Sequence, residues 1–319
     1  MKILHIAEAA QGVDRYLSML LPLLEMKFEQ AFICSNKYEC SHYEGVVDKV
    51  YPMAMQRTAS VVKIIKVVSL IRNIIKEESP SVVYCHSSFA GVLGRLACFG
   101  LKCKIVYNPH GWSFNMQDMG WIKRIVFLNI ERILSIITDR IVCISRAEYY
   151  SAIRNHVGRR DTLEIIENGI DIVSLDRAVL IDRSALGWKD TDYVIGMIGR
   201  LEPQKAPDIF IKAGKLIKDV IPNAKFIIVG NGFEEEMVKD YAKEHGLDLF
   251  ITGWVNNPYS YLKMFDLAML LSRWEGFGLV LPEYMLMGKP IVATKADAIP
   301  YVVGDAGLLV SIDDYKQAA

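Results

Sequence analysis

The sequence predicts an α/β protein of two parallel-sheet domains that face each other across a cleft. Short β-rich runs alternate with longer amphipathic segments along the whole chain, as expected for parallel strands joined by crossover helices. The strands are nearly unbroken apolar runs, which indicates sheets covered on both faces. The 319 residues also suit two cores, because one domain has roughly 150 residues.

Seven β-rich runs define the first domain, which we place at residues 1–175. In chain order they are KILHIA, QAFICS, DKVYPM, SVVYCHS, KIVYNPH, RIVCIS and LEIIENG. Residues 176–192 lose this pattern and are interpreted as a linker. A second series, YVIGMIG, KFIIVGNG, LFITGW, DLAMLLS and PIVAT, places the second domain at 193–319. Parallel sheets bind ligands at the carboxyl ends of their strands, so we expect a site in the loops that follow them.

The composition excludes several classes of protein. The 37 basic and 37 acidic residues balance, so no overall field favours nucleic acid as a partner. No apolar run approaches the ~20 residues of a membrane-spanning helix. The N-terminal segment lacks the cleavage site of a signal peptide. We therefore expect a cytoplasmic protein.

The spacing of potential metal ligands gives no support to a metal site. The six cysteines lack the close pairs of zinc or redox sites and are interpreted as buried thiols, and the six histidines show no ligand spacing. Asp190 and Asp192 form an Asp-x-Asp pattern, which binds metal in some enzymes, but their polar surroundings favour a solvated turn. We expect no metal and no cofactor.

Two acids, Glu275 and Glu283, bracket a glycine-rich turn in RWEGFGLVLPEYMLMGKP, residues 273–290. The turn follows the strand DLAMLLS, and a helix is predicted to begin near Pro282. Glycines admit a ligand close to the backbone, and free amides at a helix start favour an anion such as phosphate. Carboxylates repel phosphates, so we expect the acids to bind sugar hydroxyls. The alternative is that Glu283 complements the helix dipole and Glu275 is a solvated loop acid.

A second loop favours the ligand interpretation. Arg200 and Lys205 follow the strand YVIGMIG, within RLEPQKAPD. A guanidinium and an ammonium at the carboxyl end of a strand can neutralise a diphosphate. A surface loop held by salt bridges is the alternative.

These motifs together resemble those of the family-four retaining glycosyltransferases of GT-B architecture, of the bacterial polysaccharide type. The resemblance implies two Rossmann-like domains facing across a cleft, with the acceptor on the side of the first and the nucleotide sugar bound mainly by the second. It covers almost the whole chain: Gly12 in the first loop, HSSFAGVLGRLA at 86–97, PHGWSF at 109–114, ENGID at 167–171, GRLEPQKAPD at 199–208, VGNGFEEE at 229–236, the Glu-x7-Glu segment, and GKPIVAT at 288–294.

The resemblance also implies roles for the matching residues. Glu283 would bind the ribose hydroxyls of the donor, and Glu275 a hydroxyl of the transferred sugar. Arg200 and Lys205 would bind the diphosphate and stabilise it as it leaves. His110, in PHG, would lie beside the donor sugar and complete the catalytic set with Arg200, Lys205 and Glu275. The remaining donor contacts would come from the first loop, the segment that meets the base and the glycine-rich turn: Gly12, Gly253, Val255, Gly276, Phe277, Gly278 and Leu279.

Three histidines of the first half occupy two kinds of position, at a strand end or within a strand. His110 follows a strand end, where an exposed role in the cleft competes with that of a satisfied polar group. His5 and His86 lie within strands, so we expect them in the core or behind the site.

Two features depart from the family pattern. Family members usually have two adjacent glycines where this chain has Gln11, Gly12 and Val13, which changes the acceptor side. They also continue past the strand near AGLLVSIDD with further helices, so we expect a truncated chain with the last C-terminal helices missing.

Two helices of the first half bear on the acceptor. RTASVVKIIKVVSLIRNIIKEE and WIKRIVFLNIERIL both combine basic and aliphatic residues, which makes each a candidate for contact with an anionic membrane surface. The alternative is that both are ordinary crossover helices with one face on the sheet.

The sequence thus predicts a retaining glycosyltransferase of the hexosyltransferase type. It would move a sugar from a nucleotide-diphosphate donor, with a UDP-sugar favoured, to a glycan or lipid-linked acceptor in the synthesis of capsule or another cell-surface polysaccharide. Contact with a membrane surface would make it peripheral on the inner face of the membrane. The alternatives are a catalytically weak partner subunit with the same donor fold, and a sugar-nucleotide epimerase or phosphorylase of related fold.

Overall fold

The computed structural model describes residues 1–8, 11–37, 39–55 and 60–319. These residues form two compact units, Met1–Asn168 and Gly169–Ala319. Each unit is built on one parallel sheet, as the sequence predicts. Within the described ranges, no helix has both the length and the apolar character needed to cross a membrane.

The first unit contains a seven-stranded sheet in the order β3-β2-β1-β4-β5-β6-β7. All seven predicted runs form strands: β1 (Lys2–Ala7), β2 (Glu29–Ser35), β3 (Lys49–Met53), β4 (Val82–His86), β5 (Lys104–Asn108), β6 (Arg140–Cys143) and β7 (Leu163–Ile165). The helices of this unit are α1 (Gln11–Glu25), α2 (Val61–Glu78), α3 (Ser88–Cys98), α4 (Trp121–Ser135) and α5 (Arg146–Arg154).

The second unit repeats this topology with six strands in the order β10-β9-β8-β11-β12-β13. The strands are β8 (Tyr193–Ile198), β9 (Ala224–Val229), β10 (Leu249–Ile251), β11 (Leu267–Leu270), β12 (Ile291–Thr294) and β13 (Leu308–Val310). The helices are α6 (Ile172–Asp176), α7 (Pro207–Val220), α8 (Glu235–Glu244), α9 (Tyr259–Leu262), α10 (Val280–Leu286), α11 (Ile299–Val303) and α12 (Tyr315–Ala318).

Both faces of each sheet are buried, as the apolar strands predict. Alternate residues of β2 enter different clusters, with Ala31 and Ile33 on one face and Phe32 and Cys34 on the other. The strand β9 of the second unit is divided in the same way between two clusters. The sequence therefore predicted the layering correctly.

In each unit the strand order reverses beside the first strand, between β1 and β4 and between β8 and β11. The crevice outside the carboxyl ends of such a strand pair is the usual ligand position of open α/β sheets. In the second unit, the loops 199–206 and 271–279 leave β8 and β11 at this point.

The segment interpreted as a linker contributes to the core of the second unit. Ala178 and Trp188, both within residues 176–192, are buried in one of its clusters. Arg183 donates to the carbonyl of Met264 at 2.6 Å and to the Asp266 carboxylate at 3.0 Å. The unit boundary accordingly falls between residues 168 and 169 instead of near 175. The five-residue helix α6 is too short to show a helical period in the sequence.

The cysteines are not all thiols. Cys34, at the end of β2, and Cys40, in the loop that follows, are joined by a disulfide. Cys85, Cys98 and Cys143 are buried free thiols, as expected. The six-residue separation of the bonded pair matches no standard motif, so only the turn of the chain after β2 brings the two sulfurs together.

Arg95 and Glu131 form an enclosed ion pair between α3 and α4. Arg95 Nη2 donates to Glu131 Oε2 at 2.8 Å, and the guanidinium lies 3.7 Å from the centre of the Tyr107 ring. Tyr107 completes the group by donating its hydroxyl to Glu131 Oε1 at 2.9 Å. This packing requires glycine at position 91, because an added Cβ would stand 2.4 Å from the Tyr107 ring. Each charge depends on the other, since neither reaches bulk water.

We predict that Arg95→Met lowers the free energy of unfolding of the first unit by ~3–5 kcal/mol, because it leaves the Glu131 carboxylate buried without its counter-ion. Urea unfolding followed by amide exchange in α3 and β5 measures this. The matched control is Arg159→Met, whose ion pair with Asp161 is 77% and 71% exposed and should contribute nothing measurable. Equal losses in the two variants would contradict the assignment.

Candidate functional site

The candidate site begins with an ion pair at the strand reversal of the second sheet. Lys205 lies in the loop after β8, and its ammonium contacts the Glu275 carboxylate in the loop after β11. The two side chains are only 14% and 11% exposed. Ser272 Oγ also donates to Glu275 Oε2 at 3.2 Å, and the Glu275 amide donates to Asp297 Oδ2 at 2.9 Å. Because β8 and β11 pair directly, residues 70 positions apart meet.

Arg200 lies in the same loop as Lys205 and is held by other partners. Its guanidinium contacts the Glu202 carboxylate and donates to Gln204 Oε1 at 2.6 Å. Gln204 Nε2 in turn donates to the carbonyl of Trp274 at 3.1 Å. Each cation of the first loop therefore has an acidic partner, and Gln204 connects the Arg200 side chain to the loop that carries Glu275.

Arg273 fastens the two loops together. Its guanidinium donates to the carbonyl of Pro203 at 2.7 Å and to both oxygens of Asp208 at 2.9 Å. It also donates to Asp313 Oδ1 at 2.6 Å. A charged side chain with several fixed partners holds the backbone around it more firmly than a single contact would. Arg273 opens the stretch RWEGFG, but no local sequence signal marks it as part of the site.

Two glycines of the VGNG segment allow the loop after β9 to pack on the Arg200 loop. A Cβ at Gly230 would lie 2.0 Å from the Gly199 oxygen, and one at Gly232 would lie 2.3 Å from the Leu201 oxygen. Gly230 also has a φ of 147°, which L side chains rarely adopt. A side chain at either position would displace the backbone that carries Arg200.

Glu283 lies in the first turn of α10, as predicted, and is fully buried. The Tyr259 hydroxyl lies 3.5 Å from Glu283 Oε1. The next residue, Tyr284, accepts the amide hydrogen of Ile198 at 2.9 Å. This contact attaches the start of α10 to the end of β8, so Glu283 belongs to the same end of the sheet as Lys205.

The glycine-rich turn between the two acids is compact. Gly278 has a φ of 82°, and a Cβ there would stand 3.3 Å from Glu275 Cγ. Phe277 is buried, Gly276 precedes it, and Leu279 precedes the first residue of α10. The predicted loop and helix start are thus confirmed.

Two further predicted donor residues, Gly253 and Val255, lie after β10. Gly253 has a φ of 70° and forms an isolated bridge with Gly230, beside the glycine loop described above. Val255 packs on the core of the second unit. Trp254, between them, is exposed.

Gly12 does not lie in a loop. It occupies the first turn of α1, and nothing lies within 4 Å of the position that a Cβ would take. The loop prediction was therefore wrong at this position, because α1 begins one residue before it. Residues 9 and 10, which precede α1, lie outside the described part of the chain.

His110, in the first unit, has a strained and well-anchored backbone. Its φ is 51°, which is uncommon for a residue with a side chain. Its amide donates to Asn108 Oδ1 at 3.1 Å, and its Nε2 lies 3.1 Å from Nδ1 of His86. Burial lowers the pKa of His110 to about 3. His110 is consequently a neutral imidazole at physiological pH.

Three further buried side chains, His86, His5 and Glu148, lie behind His110. His86 is fully buried, as is His5, so the prediction that both lie in the core or behind the site is confirmed. Glu148, in the first turn of α5, accepts the amide hydrogen of Ile144 at 2.9 Å, and its backbone carbonyl accepts the indole N–H of Trp112 at 3.0 Å. Burial raises the pKa of Glu148 to about 8.

Asp190 and Asp192 lie in the turn before β8. Asp192 Oδ2 accepts the amide hydrogen of Lys189 at 2.8 Å, which closes this turn. Among the residues that the structure describes, no group of three or more His, Cys, Asp or Glu side chains is placed to hold a metal ion.

Comparison with known proteins gives two adjacent family matches. The family described as "Glycosyltransferase Family 4" matches residues 10–173, and that described as "Glycosyl transferases group 1" matches residues 180–319. Between them they cover both units.

Curated relatives match over nearly the whole chain. The UDP-Gal:alpha-D-GlcNAc-diphosphoundecaprenol alpha-1,3-galactosyltransferase of Escherichia coli is 28% identical over 98% of this chain and 84% of its own length. The capsular polysaccharide biosynthesis glycosyltransferase CapM of Staphylococcus aureus is 23% identical over 100% of this chain and 86% of its own.

Among solved structures, Anabaena HepE in complex with UDP-glucose has a TM-score of 0.79. It is 22% identical and covers 98% of this chain and 85% of its own. This likeness confirms the predicted GT-B fold class.

Proposed function

Because this chain belongs to glycosyltransferase family 4, we propose that it transfers a sugar from a UDP-sugar to a glycan or lipid-linked acceptor, with retention of the anomeric configuration. The chain is a glycosyltransferase, and its relatives make bacterial surface polysaccharides. The choice of UDP is supported by the E. coli relative, whose donor is UDP-Gal, and by the HepE structure, which contains UDP-glucose.

The observation that carries the proposal is the Lys205–Glu275 pair at the strand reversal of the second sheet. The donor's diphosphate would replace Glu275 as the partner of Lys205, because two phosphates carry more negative charge than one carboxylate. The released Glu275 would then accept a hydrogen bond from a hydroxyl of the sugar. Arg200, in the same loop, is proposed to bind the diphosphate as well. In this account the two cations, with no metal, stabilise the leaving group.

The other residues predicted for the site also have proposed roles. Buried Glu283 would bind ribose hydroxyls. The segment with Gly253 and Val255 would meet the base, and the amides of residues 276–279 would line the sugar and phosphates. His110 would contact the transferred sugar. Gly12 is proposed only as a donor contact from the exposed first turn of α1.

The proposed reaction is an exchange of one bond for another. The bond between the anomeric carbon and the leaving phosphate oxygen breaks, and the acceptor oxygen bonds the same carbon. The acceptor's proton passes to the leaving phosphate oxygen. The protein contributes by holding donor and acceptor together and by stabilising the charge on the leaving diphosphate.

We also propose that the enzyme lies on an anionic membrane surface through α4. Large apolar side chains follow one face of this helix and its end, and all are exposed: Trp121, Ile122, Ile125, Val126, Ile133 and Ile136. Exposed Lys123 adds a positive charge. An apolar stripe with a basic neighbour favours the boundary of an anionic bilayer. The acceptor of the E. coli relative carries an undecaprenol lipid, which supports this location. The helix α2 also exposes Val61, Val62 and Ile65, beside Lys63 and Lys66.

Lys205→Ala should lower the rate of transfer or hydrolysis ~100–1,000-fold, because removing one positive contact to the leaving diphosphate costs about that much in comparable sites. UDP-, GDP- and ADP-sugars would be tested with undecaprenyl-diphosphate-linked N-acetylglucosamine and without acceptor. Lys215→Ala, which breaks the exposed α7 ion pair with Asp219, is the matched control and should keep full activity. Turnover near the wild-type rate in folded Lys205→Ala would refute the assigned role.

For the membrane surface, the double variant Ile122→Ser/Ile133→Ser should bind phosphatidylglycerol vesicles at least about tenfold more weakly, because it removes two exposed apolar side chains. Vesicle co-sedimentation measures this, with phosphatidylcholine vesicles as the uncharged reference. Val220→Ser/Leu308→Ser alters two equally exposed apolar residues of the second unit and should leave binding unchanged. Equal binding by all three proteins would refute α4 as the contact.

A further inference from the structure

Four polar side chains cross the first sheet on a diagonal. Ile3 of β1 pairs with Gln30 of β2, and His5 lies two residues beyond Ile3. The next step repeats this offset, since His5 pairs with Tyr84 of β4 and His86 lies two residues beyond Tyr84. His86 pairs with Asn108 of β5, and His110 lies two residues beyond Asn108. Residues two apart in a strand share a face, so Gln30, His5 and His86 form one row, and His110, just beyond the end of β5, extends it through its contact with His86.

The row is joined by short contacts between ring nitrogens. His5 Nδ1 lies 3.3 Å from His86 Nε2, and His86 Nδ1 lies 3.1 Å from His110 Nε2. The pKa of each histidine is lowered chiefly by burial, to about 4 for His5 and about 3 for His110, and well below the usual value for His86. Neutral imidazole has one N–H and one bare nitrogen. Each contact therefore has a direction, with one ring donating and the next accepting.

The Gln30 side chain determines which ring donates and which accepts in each of these contacts. Its Nε2 lies 3.0 Å from the carbonyl oxygen of Leu21 in α1, and only the amide NH2 can donate to a carbonyl. Its Oε1 is therefore free to accept, and the Gln30 side chain acts on His5 as an acceptor does, opposing the effect of burial on the His5 pKa. His5 Nε2 and Gln30 Oε1 are both buried, and neither has a hydrogen-bond partner among the described residues. The two side chains belong to paired strands, so a hydrogen on His5 Nε2 can be donated to Gln30 Oε1 and satisfy both atoms. A bare Nε2 would leave two buried acceptors unpaired, which assigns the hydrogen of His5 to Nε2.

The tautomers of His86 and His110 follow from that of His5. His5 Nδ1 is bare, so His86 must donate to it from Nε2. His86 Nδ1 is then bare, so His110 must donate to it from Nε2. We propose that Gln30, His5 and His86 are positioning residues that fix the tautomer of His110, so that its Nδ1 presents a lone pair to ligand.

The consequence is a preference for one kind of ligand group. A bare Nδ1 accepts a hydrogen bond from a hydroxyl and repels a phosphate or carbonyl oxygen. His110 would therefore select a sugar hydroxyl that donates its hydrogen. This consequence rests on the proposed function, because it requires that a sugar reaches His110. The tautomer itself can be measured without any substrate.

Long-range ¹H–¹⁵N correlation spectra of the histidine-labelled full chain test the tautomer directly. His110, assigned from the signal lost in His110→Gln, should show a protonated Nε2 and a bare Nδ1 at neutral pH. A protonated Nδ1 in the wild-type protein would overturn the proposal, whatever the variants do.

Gln30→Met separates a directing role from a merely structural one. It removes an acceptor in β2, three strands away from β5, and His110 should then show a mixture of both tautomers. The backbone amide signals of the second unit, and the ring signals of its His245, should not move. His86→Phe removes the acceptor next to His110 and should give the same mixture, which keeps the test valid if Gln30→Met folds poorly. A His110 that stays protonated on Nε2 in both variants would refute the proposal.

The activity of Gln30→Met connects the tautomer to the proposed function. We expect about a fivefold fall in kcat/KM for the best donor, the usual value of one neutral hydrogen bond. An altered tautomer with unchanged kcat/KM would show that the row directs His110 but that His110 does not contact the sugar. That result would refute the sugar contact and leave the tautomer assignment standing.

Discussion

The pairing of Lys205 with Glu275 is the constraint on which the candidate site depends. The two residues meet because β8 and β11 are neighbours at the strand reversal of the second sheet, where their loops diverge. Other features hold these loops in place. Arg273 binds the backbone of one loop from the other, and the missing side chains at Gly230 and Gly232 let a third loop pack against them. An ammonium held in this way, mostly buried beside one carboxylate, is ready to exchange that partner for a more strongly charged anion.

At the corresponding edge of its own sheet, the first unit carries a different kind of side chain. It presents a single imidazole, His110, in an uncommon backbone conformation. Such conformations persist only where the surroundings hold them, and they concentrate at functional sites. Here the support comes from Asn108, from the row of buried histidines and from the Glu148 carbonyl, which accepts a hydrogen bond from Trp112. A neutral imidazole suits a sugar hydroxyl, whereas the cations of the second unit suit a diphosphate.

Most of the fold, and the positions of the main candidate residues in loops after strands, could be predicted from the sequence. Every apolar run that was predicted to be a strand forms one, because fully buried parallel strands leave a strong local signal. Lys205 and Glu275 could be found because they follow strands directly. His5 and His86 were placed correctly because polar residues within such strands are buried with them.

Features that depend on contacts distant in sequence could not be predicted. Arg273 acts through Pro203, about 70 positions away, and nothing local distinguishes it from a surface charge. Gln30 lies in an apolar strand, and its importance appears only once the register with β1 is known. Residues 176–192 were interpreted as a linker although Ala178 and Trp188 enter the core of the second unit, and the Cys34–Cys40 bond depends on the path of one turn.

A thermodynamic cycle of UDP binding, measured by calorimetry, tests the central claim most directly. If Lys205 binds the diphosphate after leaving Glu275, then Glu275→Gln should strengthen UDP binding about fivefold by removing the competing carboxylate, the size of a coupling of about 1 kcal/mol. In a Lys205→Met background the same change should have no effect on the Kd. An equal effect of Glu275→Gln in both backgrounds, or UDP binding that ignores Lys205→Met, would contradict the account.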